Sequence, residues 1–273
     1  ALASPVTAGA YEIRQPRIAM LQRYGGGNMD EGWTRLMFEQ FDVPFTSILD
    51  AEIKAGGLEA NYDTIVLPAD SITAMTGERP AGSTAPGGGG PAAPPDNTPA
   101  EYRSGFGAEG VKALEAFVQK GGTLLTFANA GDLPIQRFGL PVRNIVAGLP
   151  SKTFWSPGST LRVRFDTSNP LVYGMPAEGL ALFVAGGQVY EVTSTDRSQD
   201  VAILSTYVER DILQSGWLLG EQVIAKKAAA VSVKHGAGTV VLVGFRPQHR
   251  DQTHGTFKLV FNALLNRPAE APH

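Results

Sequence analysis

Four histidines are the side chains of this 273-residue sequence best suited to acid–base or metal chemistry near neutral pH. Two of them, His249 and His254, share one polar run, Arg246-Pro247-Gln248-His249-Arg250-Asp251-Gln252-Thr253-His254-Gly255. An apolar stretch precedes the run and an amphipathic one follows, so it is expected to be a loop at the carboxyl end of a strand. In an open α/β sheet that is where ligands bind. Arg246, His249, Arg250 and His254 would there clamp a polar ligand, with His249 as the candidate acid–base group. The competing reading is that these groups tie the loop's own backbone and cap the next helix. His235, in a Lys-His-Gly turn, and the terminal His273 are expected to be solvated. His249, Asp251 and His254 could hold zinc, but the spacing is not diagnostic. No His-x-x-Glu pair exists, so a zinc-hydrolase core is absent from the chain. No metal and no cofactor is assigned.

Nucleophiles are scarce. There is no cysteine, which removes disulfides, thiolate metal sites and cysteine nucleophiles together. No Gly-x-Ser-x-Gly elbow occurs either. Gly121-Gly122-Thr123-Leu124-Leu125-Thr126-Phe127-Ala128-Asn129-Ala130-Gly131 runs from a helix end through a strand into a small-residue turn, and the turn offers Asn129, which cannot attack a carbonyl. Polar groups are expected on the same rim: Asn28, Asp30 and Glu31 after the first strand, Asp70 and Ser71 after the third, and Glu101-Tyr102-Arg103 farther on. Asp30, Asp70 and His249 would form a charged pocket, although helix capping explains Asp30 equally well. Gly25-Gly26-Gly27 could cradle an anion, but it lacks the dinucleotide spacing and the Walker lysine. Asp211 to Trp217 reads as a loop that is either a lobe contact or a ligand wall.

The elements that must position these groups are legible in order. Arg17–Leu21, Phe45–Leu49 and Tyr62–Pro68 are strand candidates with helices between them, at 31–41 and about 51–60, which indicates a right-handed βαβ sheet. Asp30 is the expected cap of the first helix, and Trp33, Leu36, Met37 and Phe41 its apolar face. A Gly/Pro-rich insertion follows over 69–105; its centre, 81–99, is too poor in apolar residues to form a core. Gly110 to Lys120 is an amphipathic helix. From 150 to 235 the pattern turns to alternation, a β-rich lobe expected to be antiparallel and packed onto or extending the sheet. Gly238–Phe245 is the last strong strand and Thr256–Leu265 the closing helix. Residues 1–16 form a lead-in and 267–273 a tail. A formal net charge of -3 without basic clusters argues against nucleic acid, and no apolar run is long enough to span a bilayer.

Three stretches carry a resemblance. Arg17 to Trp33 with its Asn28-Met29-Asp30-Glu31-Gly32-Trp33 core, Asp211 to Gly220, and Gly244 to Arg250 continuing through His254 to Lys258 resemble a glutamine-amidotransferase-like domain appended to zinc carboxypeptidase-like proteins. The resemblance spans most of 17–266. It implies a class I glutamine amidotransferase-like, flavodoxin-like three-layer α/β sandwich, here with a β-rich extension in the second half. Active members carry a cysteine on the elbow and a later histidine and acid. Phe127-Ala128-Asn129-Ala130-Gly131 matches that elbow with Asn129 in the nucleophile's place, so no thioester can form. His249 stands near the expected histidine, with Asp251 in a different loop context.

The resulting expectation is a non-catalytic bacterial accessory domain, a pseudoenzyme, whose ligand set is Asn28, Asp30, Asp70, Asn129, Arg246, His249, Arg250 and His254. Its partner would be a peptidase domain of the same polypeptide or another subunit, and its ligand a peptide or carbohydrate. Ala1-Leu2-Ala3-Ser4-Pro5 reads as a mature end after export to the periplasm or outside, or as a fragment boundary. The alternatives are a hydrolase using His249 with a rim carboxylate, and a structural subunit of a larger assembly.

Overall fold

The computed structural model describes residues 14–25, 27–78, 99 and 105–265. The strands that read as continuous apolar runs are buried along their whole length: β1 (Ile18–Leu21), β3 (Thr64–Leu67) and β4 (Thr123–Phe127). That is the pattern of parallel strands covered on both faces. With β2 (Thr46–Ile48) and β12 (Gly238–Val243) they form a parallel array in the order β2-β1-β3-β4-β12. This is the flavodoxin-like winding, and its topological switch point lies between β1 and β3.

Helices cover both faces. α1 (Met29–Gln40) and α7 (Phe257–Leu265) pack on one, where Met37, Phe38, Phe257 and Val260 join Phe127 and Val243. α2 (Asp50–Ala55), α4 (Gly107–Gln119) and α5 (Asp132–Arg137) lie on the other. Val111, Leu114, Phe117 and Val118 of α4 are all buried there, as their helical spacing requires. Each contributes about 1.5–3 kcal/mol by leaving water.

The alternating second half extends the sheet. β11 (Ala228–His235) pairs antiparallel with β12 through a tight hairpin, so β12 faces a parallel neighbour on one side and an antiparallel one on the other. Beyond β11 come β9 (Val201–Tyr207), β6 (Gly158–Phe165), and at its flank β7 (Glu178–Val184) and β10 (Leu213–Ser215). β5 (Val142–Asn144) and β8 (Tyr190–Val192) pair with each other beside β11. All twelve strands belong to one sheet among the described residues. α6 (Glu221–Ile224) is a single turn before β11.

Several local expectations are corrected. The cap of α1 is Asn28, which has extended backbone geometry and whose side chain accepts from the Asp30 and Glu31 amides. Asp30 is thereby left for another partner. Phe41, expected inward, is exposed at the helix end and meets Phe257 and Phe261 edge-on; Thr34 and Phe38 take the buried stripe instead. The insertion is not wholly irregular, since α3 (Ile72–Thr76) forms inside its first part, capped by Ser71. Residues 79–98 and 100–104, the latter including Glu101-Tyr102-Arg103, lie outside the described residues, as does His273. His235 is not solvated: its side chain is 11% exposed, 3.0 Å from Glu115 Oε1 and stacked on Phe138. No helix among the described residues is long and apolar enough to cross a membrane.

Candidate functional site

The carboxyl ends of β1 and β3, the two strands at the switch point, are tied to each other by charge. Arg23, just past β1, donates from Nε to Asp70 Oδ2 just past β3, and both side chains are nearly buried. The remaining Arg23 guanidinium nitrogens donate to the Gly25 and Gly27 carbonyls. The Gly25 and Gly27 carbonyl oxygens are therefore turned toward the Arg23 guanidinium. Asn28 adds a bond from Nδ2 to Asp70 Oδ2 (3.3 Å) while its Oδ1 caps α1. Burial raises the Asp70 carboxyl above its ordinary value, against the pull of Arg23.

Asp30, freed from capping, reaches the end of β12. Arg246 donates from Nε to Asp30 Oδ1 at 2.7 Å and from Nη1 to the Ala185 carbonyl at 2.8 Å. Gln248, fully buried, donates to Thr34 Oγ1 at 3.0 Å. Asn28, Asp30, Asp70 and Arg246 thus form one polar band along the crest of the parallel strands, joined by Arg23. Its acids and bases neutralise each other.

The turn after β4 holds the elbow. Ala128 has φ 45°, a left-handed value unusual for a residue with a side chain, and is fully buried. The strained position is therefore Ala128, and Asn129 follows it, half-buried. The Asn129 amide lies against Gly186 of the β7–β8 turn, so close that a Cβ on Gly186 would sit 3.1 Å from Oδ1. Behind it, Tyr190 donates to Gln188 Oε1 at 2.9 Å, and a Cβ on Gly131 would meet both groups. Asp132, one residue on, has its carboxyl raised by burial, offset in part by the nearby Gln188 amide. Residues 185–188 of the antiparallel half thus lie across the end of β4.

In the 246–256 loop the competing expectation holds for several groups. Thr253 and Thr256 hydroxyls both donate to the Pro247 carbonyl, at 2.6 and 2.8 Å. His254 Nε2 is 2.8 Å from the Asp251 carbonyl oxygen, and its ring packs on Phe257. His254 and Arg250 are exposed. His249 is half-buried near Asp30 and Arg246; burial lowers its pKa first, with Asp30 opposing and Arg246 and Arg250 assisting. Its ring is therefore neutral at neutral pH. His249 Nδ1 and Asp251 Oδ1 are each buried without a hydrogen-bond partner, so these two atoms do not pair with each other. Among the described residues, no three His, Cys, Asp or Glu side chains group as a metal site.

Sequence reasoning missed Arg23, Gln188 and Tyr190. The signal for Arg23 was Asp70 itself, since a carboxylate at the buried end of a central strand requires a cation. Nothing local marked Gln188 or Tyr190.

No family model matches the chain, and no curated protein matches it in sequence. Solved structures match it in fold. A ThuA-like protein from Bacteroides uniformis is 14% identical, with 93% of each chain covered and a TM-score of 0.50. A GMP-synthase-type protein from Thermoplasma acidophilum is 11% identical, covering 92% of this chain and 94% of the other at 0.51. A cytoplasmic protein from Salmonella typhimurium is also 11% identical, covering 91% and 97% at 0.53. These likenesses define the class of fold: flavodoxin-like and glutamine amidotransferase-like.

Proposed function

We propose that this chain is a non-catalytic amidotransferase-like domain, serving an exported zinc carboxypeptidase-like protein by docking to its peptidase domain or holding a polar ligand at the crest. One observation carries the non-catalytic part. The elbow presents Ala128 and Asn129 where acyl-transfer chemistry needs an open nucleophile, and Gly186 of the chain's own β7–β8 turn packs on that amide. The neutral band formed by Asp30, Arg246, Asp70 and Arg23 favours an uncharged peptide or sugar over an anion. The carboxypeptidase link is supported by the Asn28–Trp33, Asp211–Gly220 and Gly244–Lys258 motifs. A face suited to docking lies beside β1, where Ile18, Phe41, Pro44, Phe261 and Leu264 line a groove of about 290 Å³.

The hydrolase alternative has one observation in its favour, the unpartnered buried Nδ1 of His249. Turnover assays on glutamine, peptides and glycosides with the wild type and His249→Ala decide between the two. No turnover by either protein is expected; activity lost on substitution would overturn the reading. The coding sequence upstream of Ala1 tests the peptidase link separately, since a His-x-x-Glu-bearing domain is expected there.

A further inference from the structure

We propose a second binding site, for the apolar face of a pyranose sugar, on the indole pair Trp155–Trp217 at the far edge of the antiparallel half. The site is independent of the crest and goes beyond the function proposed above. Trp217 follows β10, the terminal strand of the sheet, and Trp155 precedes β6. Their ring centroids are 5.9 Å apart with planes at 67°, so the face of one indole stands beside the edge of the other. Both are open to solvent, Trp155 at 43% and Trp217 at 61%, with Leu219 beside them at 45%.

The backbone beneath the pair is locked. Ser159 Oγ accepts from the Trp217 amide at 2.9 Å and donates to the Trp217 carbonyl at 2.6 Å. Trp155 and Leu219 exchange both backbone hydrogen bonds, at 3.1 and 2.9 Å. Each tryptophan segment is anchored at a glycine that admits no other residue. Gly216 has φ +99° and a Cβ there would lie 2.5 Å from the Gly158 carbonyl oxygen; Gly220 has φ +84° and its Cβ would lie 2.1 Å from that of Thr153. Underneath, Phe154 and Ile212 are core residues, so the chain alternates Phe154 inward and Trp155 outward. Two large apolar rings held outward on a rigid mount contribute little to folding. They meet a ligand without further loss of backbone freedom.

Size selects the occupant. A fully buried aromatic removes about 150–250 Å² from water, so the open parts of the two indoles with Leu219 amount to roughly 300 Å². A stable protein contact needs about 800 Å² on each side. Within a few residues of the pair along the chain, Lys152, Thr153, Gln214 and Ser215 are exposed and polar. An apolar spot the size of one or two sugar rings, rimmed by hydrogen-bonding groups, fits a gluco-configured β-linked oligosaccharide. Its axial C–H groups carry partial positive charge toward the negative face of an indole, while its equatorial hydroxyls point outward to the rim.

The test titrates cellohexaose and chitohexaose into the full chain, followed by tryptophan fluorescence and by calorimetry. Saturable binding of at least one is expected, weakened about tenfold or more in Trp217→Ala and Trp155→Ala, partly retained in Trp217→Phe, and unchanged in Tyr173→Ala, which removes an exposed aromatic elsewhere. Circular dichroism on each variant confirms that the fold survives. Absence of saturation by either sugar up to about 10 mM overturns the proposal. So does equal binding by Trp217→Ala, or self-association in sedimentation that Trp217→Ala abolishes without any sugar response.

Discussion

The parallel and antiparallel halves of the sheet treat their polar and apolar groups in opposite ways. At the parallel crest, where the fold conventionally binds ligands, nearly every functional side chain already has an internal partner: Asp70 with Arg23, Asp30 with Arg246, Asn129 against Gly186. At the antiparallel edge, two indoles on a fixed backbone meet each other edge to face and stay 43% and 61% exposed. The crest thus turns its polar groups on one another, whereas the added strands leave two large rings in water.

The largest effect is expected from Asp30→Ala. It strands the Arg246 guanidinium, whose side chain is only 14% exposed, and costs about 3 kcal/mol of stability in urea denaturation. A silent Asp30→Ala would mean that the crest is as idle as the edge, and the contrast would vanish. Next comes Gly220→Ala, which forces a Cβ onto the Thr153 carbonyl at a left-handed backbone position and costs about 2 kcal/mol. Its signature is a changed tryptophan emission spectrum, with the Asp30–Arg246 pair unaffected in a double-mutant cycle.

Asp132→Asn sharpens the account of the crest through pH. Burial raises the folded-state pKa of Asp132 above its unfolded value, so the folded protein holds that proton more tightly. The wild type is therefore penalised once pH rises through the folded value, and not below the unfolded one. The variant should be more stable than the wild type around neutral pH, with the gain disappearing below the ordinary carboxylate range. Denaturation midpoints measured across pH check this sign. The smallest effect belongs to Tyr207→Phe on the antiparallel side. The Tyr207 hydroxyl is buried with no partner, and its removal should raise stability by about 1 kcal/mol or less, read as a small upward shift in melting temperature.

How much of this was legible depended on the distance over which each feature is encoded. β1, β3 and β4 stand out because burial on both faces demands unbroken apolar runs, and α4 because its four core residues recur at helical spacing. The antiparallel strands were visible as alternation, but alternation alone does not say whether such strands stack on a sheet or continue it. The cap of α1 was misplaced by two residues because Asn28 and Asp30 are both good capping types, and only backbone geometry decides between them. Among the site residues, Asp30, Asp70, Asn28 and Arg246 could be placed on one rim from their positions after strands. The long-range contacts could not, since Asn129 meets Gly186 at the crest and Trp217 meets Ser159 at the far edge, each across more than fifty residues of chain. Arg250 and His254 are exposed in the loop, whose backbone turns through two left-handed residues, Arg250 and Asp251, that no composition announces.

The place of β12 has a consequence for biosynthesis. Because the strand that borders β4 comes near the end of the polypeptide, Thr126 waits 115 positions for its neighbour Val241. While a ribosome is still making the second half, β4 can pair with β3 on one side and has its other edge unpaired. Truncation before residue 238, which removes β12, is therefore expected to yield insoluble material rather than a smaller folded domain.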